Sequence, residues 1–134
     1  MLAKGADLYA ITKDRMMAIQ VCAKWGNEVM LRKLIEKKLD VAKAAGANAS
    51  WPIHFACERK SKLSYAVVHC LLQTNKACRL AADKRKSMPI HQAIRAENVP
   101  VIQLLLDKDP ELQIRKADGD GNTPMHLAAQ RGEL

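Results

Sequence analysis

The sequence predicts an all-α protein built as a solenoid, with stacked antiparallel helix pairs joined by short hairpin-like loops. Three observations carry the prediction. A short block of the form x-Pro-apolar-His recurs at nearly constant intervals along the chain. Each copy is followed by a second apolar block whose spacing is that of one buried helix face. A polar stretch then leads to the next proline, so the unit is helix, turn, helix, loop.

The first helices start in WPIHFACERK at 51–60, MPIHQAIRAE at 88–97 and TPMHLAAQRG at 123–132, with Pro52, Pro89 and Pro124 spaced 37 and 35 residues apart. A weaker copy, MAIQVCAKWG at 17–26, stands 34 residues earlier, with Ala18 in place of the proline and Gln20 in place of the histidine. Proline at the first helical position forfeits no hydrogen bond and presets φ. Thr123 is a good N-cap, whereas Trp51 and Met88 in the same place predict weak ones. Gly26 and Gly132 suit the turn out of a helix, and Gly119 and Gly121 suit a loop tip.

The second helices are predicted from Met30-Leu31 with Leu34-Ile35, Val67-Val68 with Leu71-Leu72, and Val101-Ile102 with Leu104-Leu105-Leu106. Pro100 fits a first helical turn. Pro52 to Val67 spans three residues more than Pro89 to Val101, and the excess is expected to bulge the inter-helix turn around Lys60-Ser61-Lys62-Leu63. The expected core includes Ile19, Val21, Leu31, Leu34, Ile53, Phe55, Val68, Leu71, Ile90, Ile102, Leu105, Met125, Leu127 and Ala128.

These blocks resemble the ankyrin repeat, whose signature is T-P-L-H-x-A. The resemblance covers essentially the whole chain, and GNTPMHLAAQRGEL at 121–134 is close to the consensus. It divides the chain into the tail of a preceding repeat (1–16), a repeat at 17–50, one with an extended inter-helix turn at 51–87, one at 88–122, and the first half of a further one at 123–134. The chain therefore starts and ends mid-repeat without polar capping faces, which reads as a stretch of a longer array that would fold poorly alone.

The irregularities in IHFACERKSKLSYAVVHCLL, CRLAADKRKSMPIHQAI and IRKADGDGNTPMHLAAQRGEL follow an order similar to part of the array of NOMPC-type (TRPN) transient receptor potential channels. That resemblance implies a cytoplasmic ankyrin spring on a mechanically gated cation channel, tethered to microtubules, with a homotetrameric parent. The alternative is a generic protein-binding ankyrin module of a soluble cytosolic scaffold.

Composition narrows the chemistry. The 134 residues carry a net charge of +8, which favours acidic partners, and aromatic content of 4% leaves few platforms for stacking nucleic-acid bases. No apolar run reaches the ~20 residues that cross a bilayer. Cys22, Cys57, Cys70 and Cys78 form no close pair, so they read as reduced, packed thiols rather than metal ligands or a disulfide framework.

His54, His91 and His126 hold one place per repeat, on the order of 10 Å apart for packed helix pairs, so they cannot converge on a metal or substrate. They are expected to bond nearby backbone and tie loop to helix, His91→Ala costing about 1 kcal/mol, the net worth of one hydrogen bond. The GDGNT run at 119–123 lacks the spaced oxygen ligands of a calcium loop, and no phosphate loop or nucleophile elbow occurs. No enzyme activity, cofactor or metal is expected.

The functional signal is basic. Lys24, Arg59, Arg95 and Arg131 follow successive first helices and are read as a positive ladder on the concave face, beside Trp25 and the loop-tip residues Lys84, Arg85 and Lys86. These eight residues are the candidate partner-binding set, facing an acidic protein surface such as tubulin or neighbouring repeats of the same array; the alternatives are an ordinary solvated face and, since a basic stripe is its footprint too, nucleic acid, which is not expected.

Overall fold

The computed structural model describes residues 18–37, 49–107 and 110–132. The expected tail at 1–16 lies outside them. The order is α1 (Ala18–Trp25), α2 (Glu28–Glu36), α3 (Pro52–Cys57), α4 (Lys62–Thr74), a 3-10 helix (Lys76–Leu80), α5 (Pro89–Arg95), α6 (Val99–Leu106), α7 (Pro110–Arg115) and α8 (Pro124–Arg131). No strand occurs among the described residues. The expected pairs are present: α1 packs on α2, α3 on α4 and α5 on α6. First helices stack as α1, α3, α5, α8, and second helices as α2, α4, α6, which makes the all-α solenoid.

Helix starts follow the local chemistry. At Trp51 and Met88 no side chain caps the helix, as expected. Thr123 does cap, accepting from the His126 amide at 3.3 Å. Second helices start on caps that the sequence reading did not single out: Asn27 accepts from Met30 N–H, Ser61 from Leu63 N–H and Asn98 from Val101 N–H. Each of these caps stands nine residues after its helix start at Ala18, Pro52 or Pro89. The turn between α3 and α4 runs over 58–61, four residues against two at 26–27 and three at 96–98, because α3 ends early at Cys57. The surplus before Val67 lies beyond the Ser61 cap, within α4, which runs 13 residues against 9 in α2 and 8 in α6. A helix absorbs three residues as nearly one turn at full hydrogen bonding, which a bulged loop would forgo.

The core fills the space between the two helix rows. Ile19, Leu31, Leu34, Ile53, Phe55, Val68, Leu71, Ile90, Leu105 and Leu127 are buried as expected, joined by Ala23, Ala56, Cys57, Val67, Ala93 and Val101. Val21 and Ile102 pack against its margin, and Ala128 is half-buried. Met125 departs from expectation, being 62% exposed. It borders an apolar groove with Ile90, Ile94 and Ile102, over which no described element packs. The small first-helix residues Ala23, Ala56 and Ala93 let neighbouring helices approach closely, a role the large-residue pattern hides.

Candidate functional site

The histidines set the frame. The His54 ring accepts the Trp51 amide at Nδ1 (2.9 Å), so its Nε2–H donates to the Ser87 carbonyl at 2.8 Å. His91 repeats the arrangement, accepting from the Met88 amide at 3.0 Å and donating to the Lys116 carbonyl at 3.0 Å. Both rings are fully buried, and burial holds both below the ordinary imidazole pKa. Each ring thus ties its own helix start to the loop that closes its repeat and leads to the next proline. His126 accepts from the Thr123 amide at 3.2 Å and is exposed.

The loops carry a second recurring device. Asp83 and Asp118 stand six residues before Pro89 and Pro124, and both are buried. Asp83 accepts the amides of Arg85 and Ser87, and Asp118 those of Asp120 and Asn122. The two hairpin tips are joined by Gly119 N–H donating to the Arg85 carbonyl at 2.6 Å. A Cβ at Gly119 would lie 2.6 Å from that same oxygen, so glycine is required by the approach itself.

Within this frame the basic residues separate. Counted from the helix starts, Lys24, Glu58, Arg95 and Gln130 stand six places on, and Trp25, Arg59, Ala96 and Arg131 seven. One place is roughly 100° around a helix, so the four expected cations do not form a single file. The sixth position faces the hairpins. There Arg95 pairs with the Asp118 carboxylate and donates to Ser87 Oγ at 3.0 Å. Burial pulls the Asp118 carboxyl up, but the amides of Asn122 and Asp120 and the Arg95 guanidinium outweigh it and hold it below its ordinary value. Glu58 interrupts the positive file, its carboxyl raised by burial, with Lys24 opposing and Asp83 reinforcing the shift.

The seventh position faces the turns between helices. Trp25 is 59% exposed, with the Arg59 guanidinium 4.5 Å and the Lys24 ammonium 5.6 Å from its ring centre. Arg131 lies 3.9 Å from Glu97. Lys84, Arg85 and Lys86 are exposed at one hairpin tip, with Lys86 in the left-handed region at φ 60°. The structure therefore brings Lys24, Trp25 and Arg59 together, leaves the three tip cations displayed, and engages Arg95 and Arg131 with carboxylates of the chain.

Among the described residues no group of histidine, cysteine and carboxylate side chains has the geometry to hold a metal. All four cysteines are buried free thiols. Burial pushes Cys57 furthest up and also raises Cys22 and Cys70, which disfavours the reactive thiolate. Among the described residues no helix is long and apolar enough to cross a membrane.

Two comparisons bear on this arrangement. Residues 53–134 match the family model for ankyrin repeats, in three copies. Alpha-latrotoxin-Lg1a of Latrodectus geometricus is 25% identical over 134 residues, 99% of this chain, and the chain spans only 10% of that protein's length.

Proposed function

The chain belongs to the ankyrin-repeat family, and from that premise we propose that it is a non-enzymatic protein-binding module whose partner presents acidic groups. The observation that carries this is Trp25, exposed in water yet covered by two cations drawn from adjacent repeats. Tryptophan and arginine dominate the energetics of interfaces, and a carboxylate meeting the Trp25–Arg59 pair would gain charge and apolar contact together. Lys84, Arg85 and Lys86 supply a second set of cations at the hairpin tip. Arg95 and Arg131 serve the fold in this reading, because each faces a carboxylate of the chain. Four buried thiols suit a reducing, cytoplasmic setting.

The finer reading, a force-bearing stretch of a channel's cytoplasmic array that holds microtubules, draws its support from the order of irregularities in the sequence. One of these, the surplus length within 51–87, falls mainly in the long helix α4, beside a four-residue turn at 58–61. Microtubules remain a useful acidic probe. Co-sedimentation should fall steeply between low and high salt. It should also fall in a protein carrying Lys24→Glu with Arg59→Glu, and further when Lys84, Arg85 and Lys86 are reversed as well. Binding unchanged by all five reversals would refute an acidic partner on these surfaces.

A further inference from the structure

Seven large apolar side chains are exposed among the described residues, and five of them sit on one edge: Trp25 at 59%, Val29 at 66%, Leu63 at 57%, Tyr65 at 44% and Val99 at 43%. Trp25 closes α1 just before a turn, and the other four lie in the first helical turn after one. A chance scatter over the surface would not place them so. Val29, Leu63 and Pro100 each stand two residues after a helix cap (Asn27, Ser61, Asn98), where a first helical turn in water has no need of apolar side chains.

The three turns are physically continuous. Arg59 lies over Trp25. Leu63 sits against the backbone of the preceding turn, since a Cβ on Gly26 would come 2.5 Å from the Leu63 Cβ. Asn98 donates from Nδ2 to the Arg59 and Ser61 carbonyls at 3.4 and 3.3 Å. Beside that bond runs a groove of about 530 Å³, with Tyr65, Val99 and Pro100 on its walls and Lys60 and Lys62 at its rim. Arg59, Lys60 and Lys62 have no carboxylate within ion-pair distance among the described residues. Glu97, the carboxylate of this groove, faces Arg131.

We propose that this turn edge docks an acidic amphipathic helix of a protein partner, with apolar side chains about seven residues apart. The proposal rests on reading the chain as a protein-binding module and adds where the partner lies and what it presents. The spacing follows from geometry. Neighbouring packed helices lie about 8–10 Å apart, and a helix returns the same face after seven residues, about 10.5 Å. The charge follows from the unpaired cations that rim the apolar file. The edge is also distinct from the hairpin tips, which display cations without exposed apolar neighbours.

The test is fluorescence anisotropy on the whole chain with two labelled peptides of about 20 residues, long enough to form a helix. Both carry the same glutamates; one has leucine at every seventh position and the other serine there. The leucine peptide should bind, and the serine peptide should bind about tenfold more weakly or worse, the share expected of buried anchors. Val29→Ser with Val99→Ser should weaken the leucine peptide by about tenfold, and so should Lys60→Glu with Lys62→Glu. Leu80→Ser, at the end of the 3-10 helix and away from these turns, should leave that peptide unaffected, whereas reversing Lys84, Arg85 and Lys86 should weaken both peptides alike through long-range charge. Circular dichroism of each variant confirms the fold, and Leu63→Ser serves as a further apolar variant.

Equal affinity for the two peptides overturns the proposal. So does loss that tracks the hairpin-tip variant alone, an outcome that leaves the acidic-partner reading standing. Sedimentation with phosphatidylserine vesicles, weakened by the same serine variants and accompanied by no peptide binding, would make the edge a lipid surface and also overturn it. Failure of microtubules and of both peptides to bind would sink this inference and the parent reading together.

Discussion

Replacing His91 by alanine should destabilise the protein by about 3 kcal/mol, three times what one hydrogen bond would give. The structure supplies the arithmetic. The ring makes two bonds to backbone, accepting from the buried Met88 amide at 3.0 Å and donating to the half-buried Lys116 carbonyl at 3.0 Å. Its removal strands both groups, and a group left unpaired costs about 1–3 kcal/mol in the interior, the upper part of that range falling to the Met88 amide and the lower to the half-buried Lys116 carbonyl. Some repair by entering water and some cavity cost work against each other, which leaves a central value of about 3 kcal/mol. His54→Ala should cost a similar amount, because its ring bridges Trp51 and Ser87 in the same way. His126→Ala is the internal control, since that ring is exposed and, among the described residues, bonds only within its own helix start. It should cost about 0.5 kcal/mol. Urea denaturation followed by circular dichroism measures all three. Equal losses at the three positions, or a loss near 1 kcal/mol at His91, would refute the two-bond bridge. A loss that depended on added metal would overturn a structural role altogether.

Four further outcomes are expected. Burial lowers the His54 and His91 pKa values in the folded state, so both states are neutral above about pH 6.5, and the unfolded chain takes up protons first as pH falls. Stability should therefore be full above that value and decline below it, by up to about 2.7 kcal/mol per pH unit for two sites; a urea midpoint constant from pH 7.5 to 5.5 would contradict this. Gly119→Ala should cost about 1–3 kcal/mol, because its Cβ meets the Arg85 carbonyl and breaks the bond between hairpin tips; a neutral effect on thermal midpoint would show that the tips move freely. Glu97 occupies the left-handed region at φ 58°, as Gly26 and Gly132 do in matching turns, so Glu97→Gly should stabilise by about 0.5 kcal/mol, and destabilisation in the same assay would count against backbone strain there. The four thiols should react with Ellman's reagent only as urea opens the fold, whereas fast labelling in buffer would contradict their burial.

The repeat was legible because its signals are local. Proline at a helix start, threonine before Pro124 and apolar residues on one helix face act within a few residues, and the structure obeys each of them. What escaped was length that can be absorbed in two ways. The surplus between Pro52 and Val67 could have extended a loop or a helix, and only the position of the Ser61 cap decides for α4. The short α7 escaped too, although Pro110 at its start and the Glu111–Arg115 pair 3.5 Å apart are helix signals once the frame is known. Among the candidate site residues, composition identified the cations but not their neighbours. A shift of one place separates Arg95, turned to the hairpins and Asp118, from Arg59, turned to the inter-helix edge and Trp25. Sequence spacing shows a charge, and the fold decides whether that charge is already answered.

The forward reach of the buried histidines closes each unit of sequence on itself. A segment cut from one proline to the next keeps both the imidazole and the carbonyl that receives its proton, which lies near the segment's far end. During synthesis, His54 waits for Ser87 and His91 for Lys116, so each pair of helices stays unfastened until the loop behind it has left the ribosome. Excision, grafting or duplication of repeats should therefore succeed at borders drawn just before Pro52 or Pro89 and falter at borders drawn between a second helix and its loop, such as after Thr74 or Leu106.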